Sequence, residues 1–265
     1  MNVHRLGAVR YLNTWPLVHG LAGDARLVIR FDVPSRCAAL LHEGEVDLGV
    51  IPSIEYLRGD YRIVPGVAIA SWGEVESVAL FTRVPLDEIR SVALDTSSRT
   101  SAALLRILCV ERYGIAPRFE QRAPDLPAML EACDAALLIG DPALHADPVE
   151  HGAWKIDLGA EWSTHTGLPF VWAFWAGRPD AVDGEICGVL QDAKSRGVLA
   201  FDEIARDYAG GDTAREEKAR AYLRNNMKYD LQAPHVQALR RFYASAVAVG
   251  VVPSAREPEF VGERV

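Results

Sequence analysis

Residues 77–82 read SVALFT and residues 169–176 read PFVWAFWA, two strongly apolar stretches that frame an alternation of helix and strand signals. β-Branched and aromatic residues fit a pleated, half-buried surface, so each stretch predicts a strand. Between them the sequence predicts a self-contained α/β unit: strand Ser91–Leu94, helix Thr100–Tyr113, strand Arg118–Gln121, helix Leu126–Cys133 and strand Ala135–Ile139. A unit inserted between two long strands is how two-lobed ligand-binding proteins are wired. The chain leaves lobe one, builds lobe two and returns, and the crossing strands form a hinge. The expected hinge strands are Ser77–Arg83 and Gly167–Ala176, with lobe two at residues 84–168, lobe one at residues 1–83 plus 169–265, and a ligand cleft between them.

Working outward, the segment before residue 77 alternates in the same way. Arg5–Val9, Leu27–Val33, Asp47–Ile51 and Ile63–Ile69 read as strands, Ser35–Glu43 as a helix and Ser53–Arg58 as a short one. This alternation implies an α/β architecture with a largely parallel sheet. After Arg178 the pattern predicts helix to the end, with Leu239, Phe242, Tyr243, Ala246 and Val249 at helical spacing in the last one.

Composition narrows the function. A chain of 265 residues that is 49% hydrophobic can bury a real core. It has no run of about 18 apolar residues, so no membrane span is expected. A formal net charge of -8 argues against a nucleic-acid surface. It does not exclude a small anionic ligand, which one Arg and a few backbone N–H groups can hold. Met1 to His4 run directly into the first strand rather than into a secretory signal, so a cytoplasmic location is expected. Reduced core thiols are then expected for Cys37, Cys109, Cys133 and Cys187. No Cys/His pair has zinc-ligand spacing, so no metal is expected.

Three strand-to-helix turns carry candidate chemistry. Residues 95–101 read DTSSRTS between a strand and a helix. A helix N-terminus offers free N–H groups and partial positive charge. With Ser97, Ser98, Thr100 and Ser101 hydroxyls and the Arg99 guanidinium added, the loop is a candidate cradle for a carboxylate or phosphate. The bland alternative is an ordinary helix cap with spare serines. Neither nucleotide-binding glycine pattern, GxxxxGK[ST] or GxGxxG, is present. In Tyr11-Leu12-Asn13-Thr14, Asn13 has both an amide donor and a carbonyl acceptor for a ligand, or it simply caps the next helix. In Gly140-Asp141-Pro142, after the last strand of the inserted unit, Asp141 is a candidate base or a turn cap. Ser77 opens the first hinge strand. His165 precedes the second and is a candidate proton carrier.

Six segments, taken in order, resemble the chorismate dehydratases of menaquinone biosynthesis. They are GAVRYLNTWPL from Gly7, DLGVIPSIEY from Asp47, SSRTS from Ser97, LIGDPAL from Leu138, TGLPFVWAFWA from Thr166 and NNMKYDL from Asn225. Together they span nearly the whole chain. The resemblance implies a type II periplasmic-binding-protein-like fold used as an enzyme. It implies a hydro-lyase that converts chorismate to 3-[(1-carboxyvinyl)oxy]benzoate and water on the futalosine route, with no cofactor. It also raises Asn13 and Ser77 as catalytic residues and Ser98, Arg99, Thr100 and Ser101 as substrate-binding ones. Beside these, Asp141 is kept as a catalytic candidate, and Tyr11, Ser97 and Gly140 as substrate-binding candidates. The related dihydroxynaphthoate synthase differs in its N-terminal turn and has a histidine after the strand where this chain has Gly140-Asp141. Arg10 and His165 depart from the family pattern, and neither is assigned a role.

Two non-enzymatic readings compete. A solute-binding receptor for a small carboxylate would share the lobes and the cleft. The sensing domain of a transcription factor would need a helix-turn-helix and a basic face, neither of which is evident. All three readings have a small-molecule ligand and none has a nucleic-acid or membrane partner at the cleft.

Overall fold

The computed structural model describes residues 3–262. Residues 1–2 and 263–265, which the expected lobe one includes, lie outside the described residues. Ten strands form two five-stranded sheets. The first holds β1 (His4–Val9), β2 (Leu27–Asp32), β3 (Leu48–Pro52), β4 (Arg62–Ser71) and β10 (Phe170–Gly177), in the order β2-β1-β3-β10-β4. The second holds β5 (Val78–Thr82), β6 (Ser91–Asp95), β7 (Arg118–Arg122), β8 (Ala135–Ile139) and β9 (Trp154–Asp157), in the order β7-β6-β8-β5-β9.

The two sheets share one wiring pattern. In each, one strand lies parallel to both of its neighbours: β1 to β2 and β3, and β6 to β7 and β8. Next comes a strand that has just crossed from the other lobe, and it runs antiparallel to both neighbours. This corrects the expectation of a largely parallel sheet. A strand that enters from the opposite lobe meets its sheet head-on, so half of the strand pairings become antiparallel.

The hinge differs from expectation for the same reason. Residues 78–82 pair only within the second sheet, although the expected lobe boundary lies after residue 83. Residues 170–177 pair only within the first. The crossings are the short segments 72–77 and 167–169 that precede these strands. We propose lobe boundaries there, since the backbone ladders change sheet at those points.

Period-two alternation builds the core of lobe two. Ala79 and Phe81, Ala93, and Ala136 and Leu138 face one way, against Leu126, Met129 and Leu130 of a helix at Leu126–Ala132. Val78, Leu80, Val92, Leu94, Leu137 and Ile139 face the main core. That core holds the helix at Thr100–Leu108, whose residues are buried except for the partly exposed Arg106. A helix apolar nearly all round belongs inside, and this one is packed between the lobes.

Three further expectations change. The helix expected at Thr100–Tyr113 continues past Leu108 as a π-helical turn, Cys109–Tyr113. Strand β9 and a helix at Leu158–Thr166 are additional to the expected elements. The C-terminal region has helices Gly184–Leu199, Phe201–Ala209, Thr213–Ala221 and Ala233–Ala248. It is not helical to the end, because residues 249–262 form turns and bends, and Phe260 bridges to Ile63 beside β4.

Among the described residues no helix is long and apolar enough to cross a membrane, and no cluster of His, Cys, Asp or Glu could hold a metal ion. The four cysteines are buried free thiols, and burial pushes Cys37 and Cys109 up to about 12. Such thiols stay protonated and inert.

Candidate active site

A cavity opens where the two sheets meet. Lobe one lines it with Val9, Tyr11, Asn13, Thr14, Ile69 and Trp172, and lobe two with Ser77, Val78, Ser98–Ser101, Ile139 and Gly140. Its polar lining comes from Tyr11, Asn13, Thr14, Ser77 and Ser98–Ser101, and most of the rest is apolar.

The start of the Thr100–Leu108 helix forms part of the wall. Its cap residue, Arg99, makes no side-chain capping bond, and its carbonyl accepts from Ala103. The N–H groups of Thr100 and Ser101 have no acceptor among the described residues. The Ser98 hydroxyl is buried and also has no partner among them. Unmet donors at a helix N-terminus form a preorganised anion site. Arg99 lines the cavity, but its guanidinium turns outward, donating to the Ser98 carbonyl at 3.4 Å and standing 4.0 Å from Glu55 of lobe one.

Thr100 does a second job. Its Oγ1 accepts the Ile54 N–H at 3.2 Å and lies 3.4 Å from Ser53 Oγ, so it joins the lobes. Ser53 is itself fixed, donating to Val171 O at 2.8 Å, while Tyr243 donates to Ser53 O at 2.8 Å.

Ser97 stands behind the cavity. Its hydroxyl donates to Asp95 Oδ1 at 2.6 Å, so it must accept from the Tyr11 hydroxyl 3.3 Å away in the other lobe. The Ser97 N–H also donates to Asp95 Oδ1, at 2.8 Å. Burial raises the Asp95 carboxyl above its ordinary range, against the lowering pull of the Ser97 bonds.

Asn13 and Ser77 also line the cavity. The Ser77 hydroxyl lies 2.7 Å from the Tyr222 hydroxyl, and Asn13 Oδ1 accepts from Thr14 Oγ1 at 3.4 Å. Ser77 is placed by a bent crossing segment. Its N–H donates to Val75 O at 2.7 Å, and Glu76 has φ +58°, left-handed backbone that is uncommon for a residue with a Cβ. Asp157 holds this bend by accepting the N–H groups of Val75 at 3.1 Å and Glu76 at 2.6 Å.

Gly140 and Asp141 separate in role. Gly140 has φ +65°, and a Cβ there would lie 2.4 Å from the Tyr11 ring, so only glycine allows this close approach of the lobes. The Asp141 carboxylate does not line the cavity. It accepts the Leu12 N–H of lobe one at 3.0 Å. Burial raises it, with the Leu12 bond opposing. His165 pairs with Glu111 at 3.0 Å, and Arg10 lies on a separate surface cleft; neither lines the cavity.

The structure thus gathers Tyr11, Asn13, Ser77, Ser98, Arg99, Thr100, Ser101 and Gly140 around one space, and leaves Ser97 and Asp141 just outside it. Residue-by-residue reading of the sequence misses Ser53, Trp172 and Tyr222. Trp172 is an aromatic wall fixed by donation to Ser71 Oγ at 3.1 Å. Ser53 and Trp172 lie inside segments that carry the family resemblance. Tyr222 opens a π-helical turn, Tyr222–Asn226, a feature frequent at functional sites but without a sequence signature.

A family model described as menaquinone biosynthesis matches residues 4–248. The chorismate dehydratase of Thermus thermophilus is 34% identical over 271 residues, covering 96% of this chain and 98% of that protein. Among solved structures, a protein of Archaeoglobus fulgidus superposes with a TM-score of 0.76 at 19% identity, over 94% of this chain and 98% of that one. A Candida albicans protein described as having the generic periplasmic binding protein fold gives 0.61 at 10% identity, over 100% and 99% of the two chains. These structural likenesses concern the fold alone. The chain has the two-lobed periplasmic-binding-protein-like fold with a cleft between its sheets.

Proposed function

The chain belongs to the menaquinone-biosynthesis family, and we propose that it is a chorismate dehydratase, a hydro-lyase that converts chorismate to 3-[(1-carboxyvinyl)oxy]benzoate and water. The observation that carries this reading is one largely apolar cavity lined both by the unmet N–H donors that start the Thr100–Leu108 helix and by Asn13 and Ser77. Chorismate has two carboxylates, one on the ring and one on the enolpyruvyl side chain, and so asks for two such polar sets.

Elimination removes the C3 hydrogen and the C4 hydroxyl. The ring carboxylate acidifies C3–H through the intervening double bond, so charge builds on that carboxylate as the proton leaves. Donors fixed in advance around it stabilise the transition state as an oxyanion hole does. We assign this part to Ser98, Thr100 and Ser101, with the Arg99 guanidinium adding positive charge at the rim. Val9, Ile69, Val78, Ile139 and Trp172 supply a water-poor wall for the ring.

The proton needs an acceptor. In our reading it goes to the enolpyruvyl carboxylate of the substrate itself, held over C3 by Asn13 and Ser77, and from there to the departing C4 hydroxide, so that water leaves and the carboxylate is restored. The polar side chains that line the cavity are neutral apart from Arg99, and the Asp141 carboxylate is engaged elsewhere. The product is aromatic, so positioning and electrostatics suffice to drive the step. We place the reaction in the cytoplasm, on the futalosine route, as a biosynthetic step on a small-molecule substrate.

Incubating the purified chain with chorismate and following loss of water by mass spectrometry tests the reading. Formation of the enolpyruvyl benzoate is expected. Tight binding with chorismate recovered intact would instead identify a binding protein.

A further inference from the structure

We propose that Tyr222 is a positioning residue for the elimination: its buried hydroxyl bonds the Ser77 hydroxyl and so fixes the orientation that Ser77 presents to the cavity. This rests on the dehydratase reading and adds to it a residue that touches no substrate. Tyr222 is 1% exposed and does not line the cavity. Its hydroxyl nonetheless lies 2.7 Å from Ser77 Oγ, which does.

A phenol can both donate its one O–H and accept, as can a serine hydroxyl, so the 2.7 Å bond holds the Ser77 hydroxyl at the cavity wall whichever of the two donates. Burial raises the phenol above its ordinary value, so it stays protonated.

The backbone around Tyr222 is tied to the crossing segment that places Ser77. Asn226 donates its side-chain amide to Glu74 O at 3.1 Å. Ala70 and Lys228 exchange both backbone bonds at 2.8 Å. The π-helical turn thus brings the phenol and Ser77 to one place from opposite ends of the sequence.

The test is a double-mutant cycle in the full chain, with Tyr222→Phe, Ser77→Ala and both together. Measured are kcat and KM for chorismate and the melting temperature of each variant. Loss of one net hydrogen bond corresponds to a fall in kcat of roughly two- to tenfold. We expect that fall for Tyr222→Phe with KM little changed. In the Ser77→Ala background the same substitution should slow turnover much less, because the partner it orients is gone. Wild-type kcat in Tyr222→Phe overturns the proposal, as do losses that simply multiply in the double variant, which is the pattern of a structural role. A wild-type chain that leaves chorismate intact overturns the functional reading, and this proposal with it. An active wild type beside an unaffected Tyr222→Phe overturns this proposal alone.

Discussion

Asp95 is 0% exposed, and its Oδ2 has no partner among the described residues, while Oδ1 accepts twice from Ser97. A buried, half-satisfied carboxylate is costly when ionised, which is why burial raises it. The sign for stability follows directly. An acid whose folded value is raised holds its proton more tightly in the folded state. Its contribution is therefore complete at low pH, and it is lost as pH climbs from the ordinary carboxylate value, about 3.9, through the raised folded value. Asp95→Asn keeps an oxygen for Ser97 and has no proton to lose. The melting temperature of the variant minus that of the wild type should therefore increase between about pH 4 and neutrality. A difference that stays flat across that range would show that Asp95 is not held protonated. The motif DTSSRTS points to this loop, yet the role of its first residue is invisible in it, because burial is a property of the fold rather than of the spacing.

At the scale of elements, the Thr100–Leu108 helix is legible in the sequence. A hydroxyl-rich turn after an apolar strand marks its start, and its apolar run marks it as interior. What the sequence does not show is that Thr100 also joins the lobes, since Ile54 lies 46 residues away and no local pattern links them. Thr100→Val keeps the shape and removes the acceptor. In the closed form it leaves the Ile54 N–H buried and unmet, which costs about 1–3 kcal/mol. The cost falls on closure, so KM for chorismate should rise roughly five- to hundredfold, measurable in steady-state kinetics. An unchanged KM would mean that the contact does not help to hold the closed form. The elements that escape the sequence are those with weak local signals. Strand β9 is short and largely half-exposed. The Leu158–Thr166 helix reads LGAEWSTHT, with Gly, Ser, Thr and His diluting helix propensity, and is started by the Asp157 side chain accepting from Ala160 at 3.0 Å.

For the whole molecule, the question is what Asp141 does for two lobes that must open to admit a substrate. Several bonds join the lobes, among them Leu12 N–H to Asp141 at 3.0 Å and Ser35 N–H to Ser97 O at 3.1 Å. The two-lobed plan is legible because an α/β unit lies between two apolar strands. The exact crossings are not, because a strand's membership of a sheet depends on partners distant in sequence. If Asp141 is a latch, closing the lobes moves its carboxyl from water into the buried setting where its proton is held more tightly. Closure then takes up a proton, and KM should rise as pH increases from the ordinary carboxylate range through the raised value. Asp141→Asn keeps the acceptor for Leu12 and has nothing to titrate, so this limb should vanish while kcat survives. Asp141→Ala strands the Leu12 N–H, at a cost of about 1–3 kcal/mol, and should raise KM with kcat within a few-fold of wild type. If Asp141 were instead the base, Asp141→Asn would lower kcat by about 10²–10⁴ at intact affinity. Steady-state pH profiles of the two variants decide between these outcomes. Small-angle scattering adds a direct check: the radius of gyration of the wild type with product bound should be smaller than that of Asp141→Ala under the same conditions.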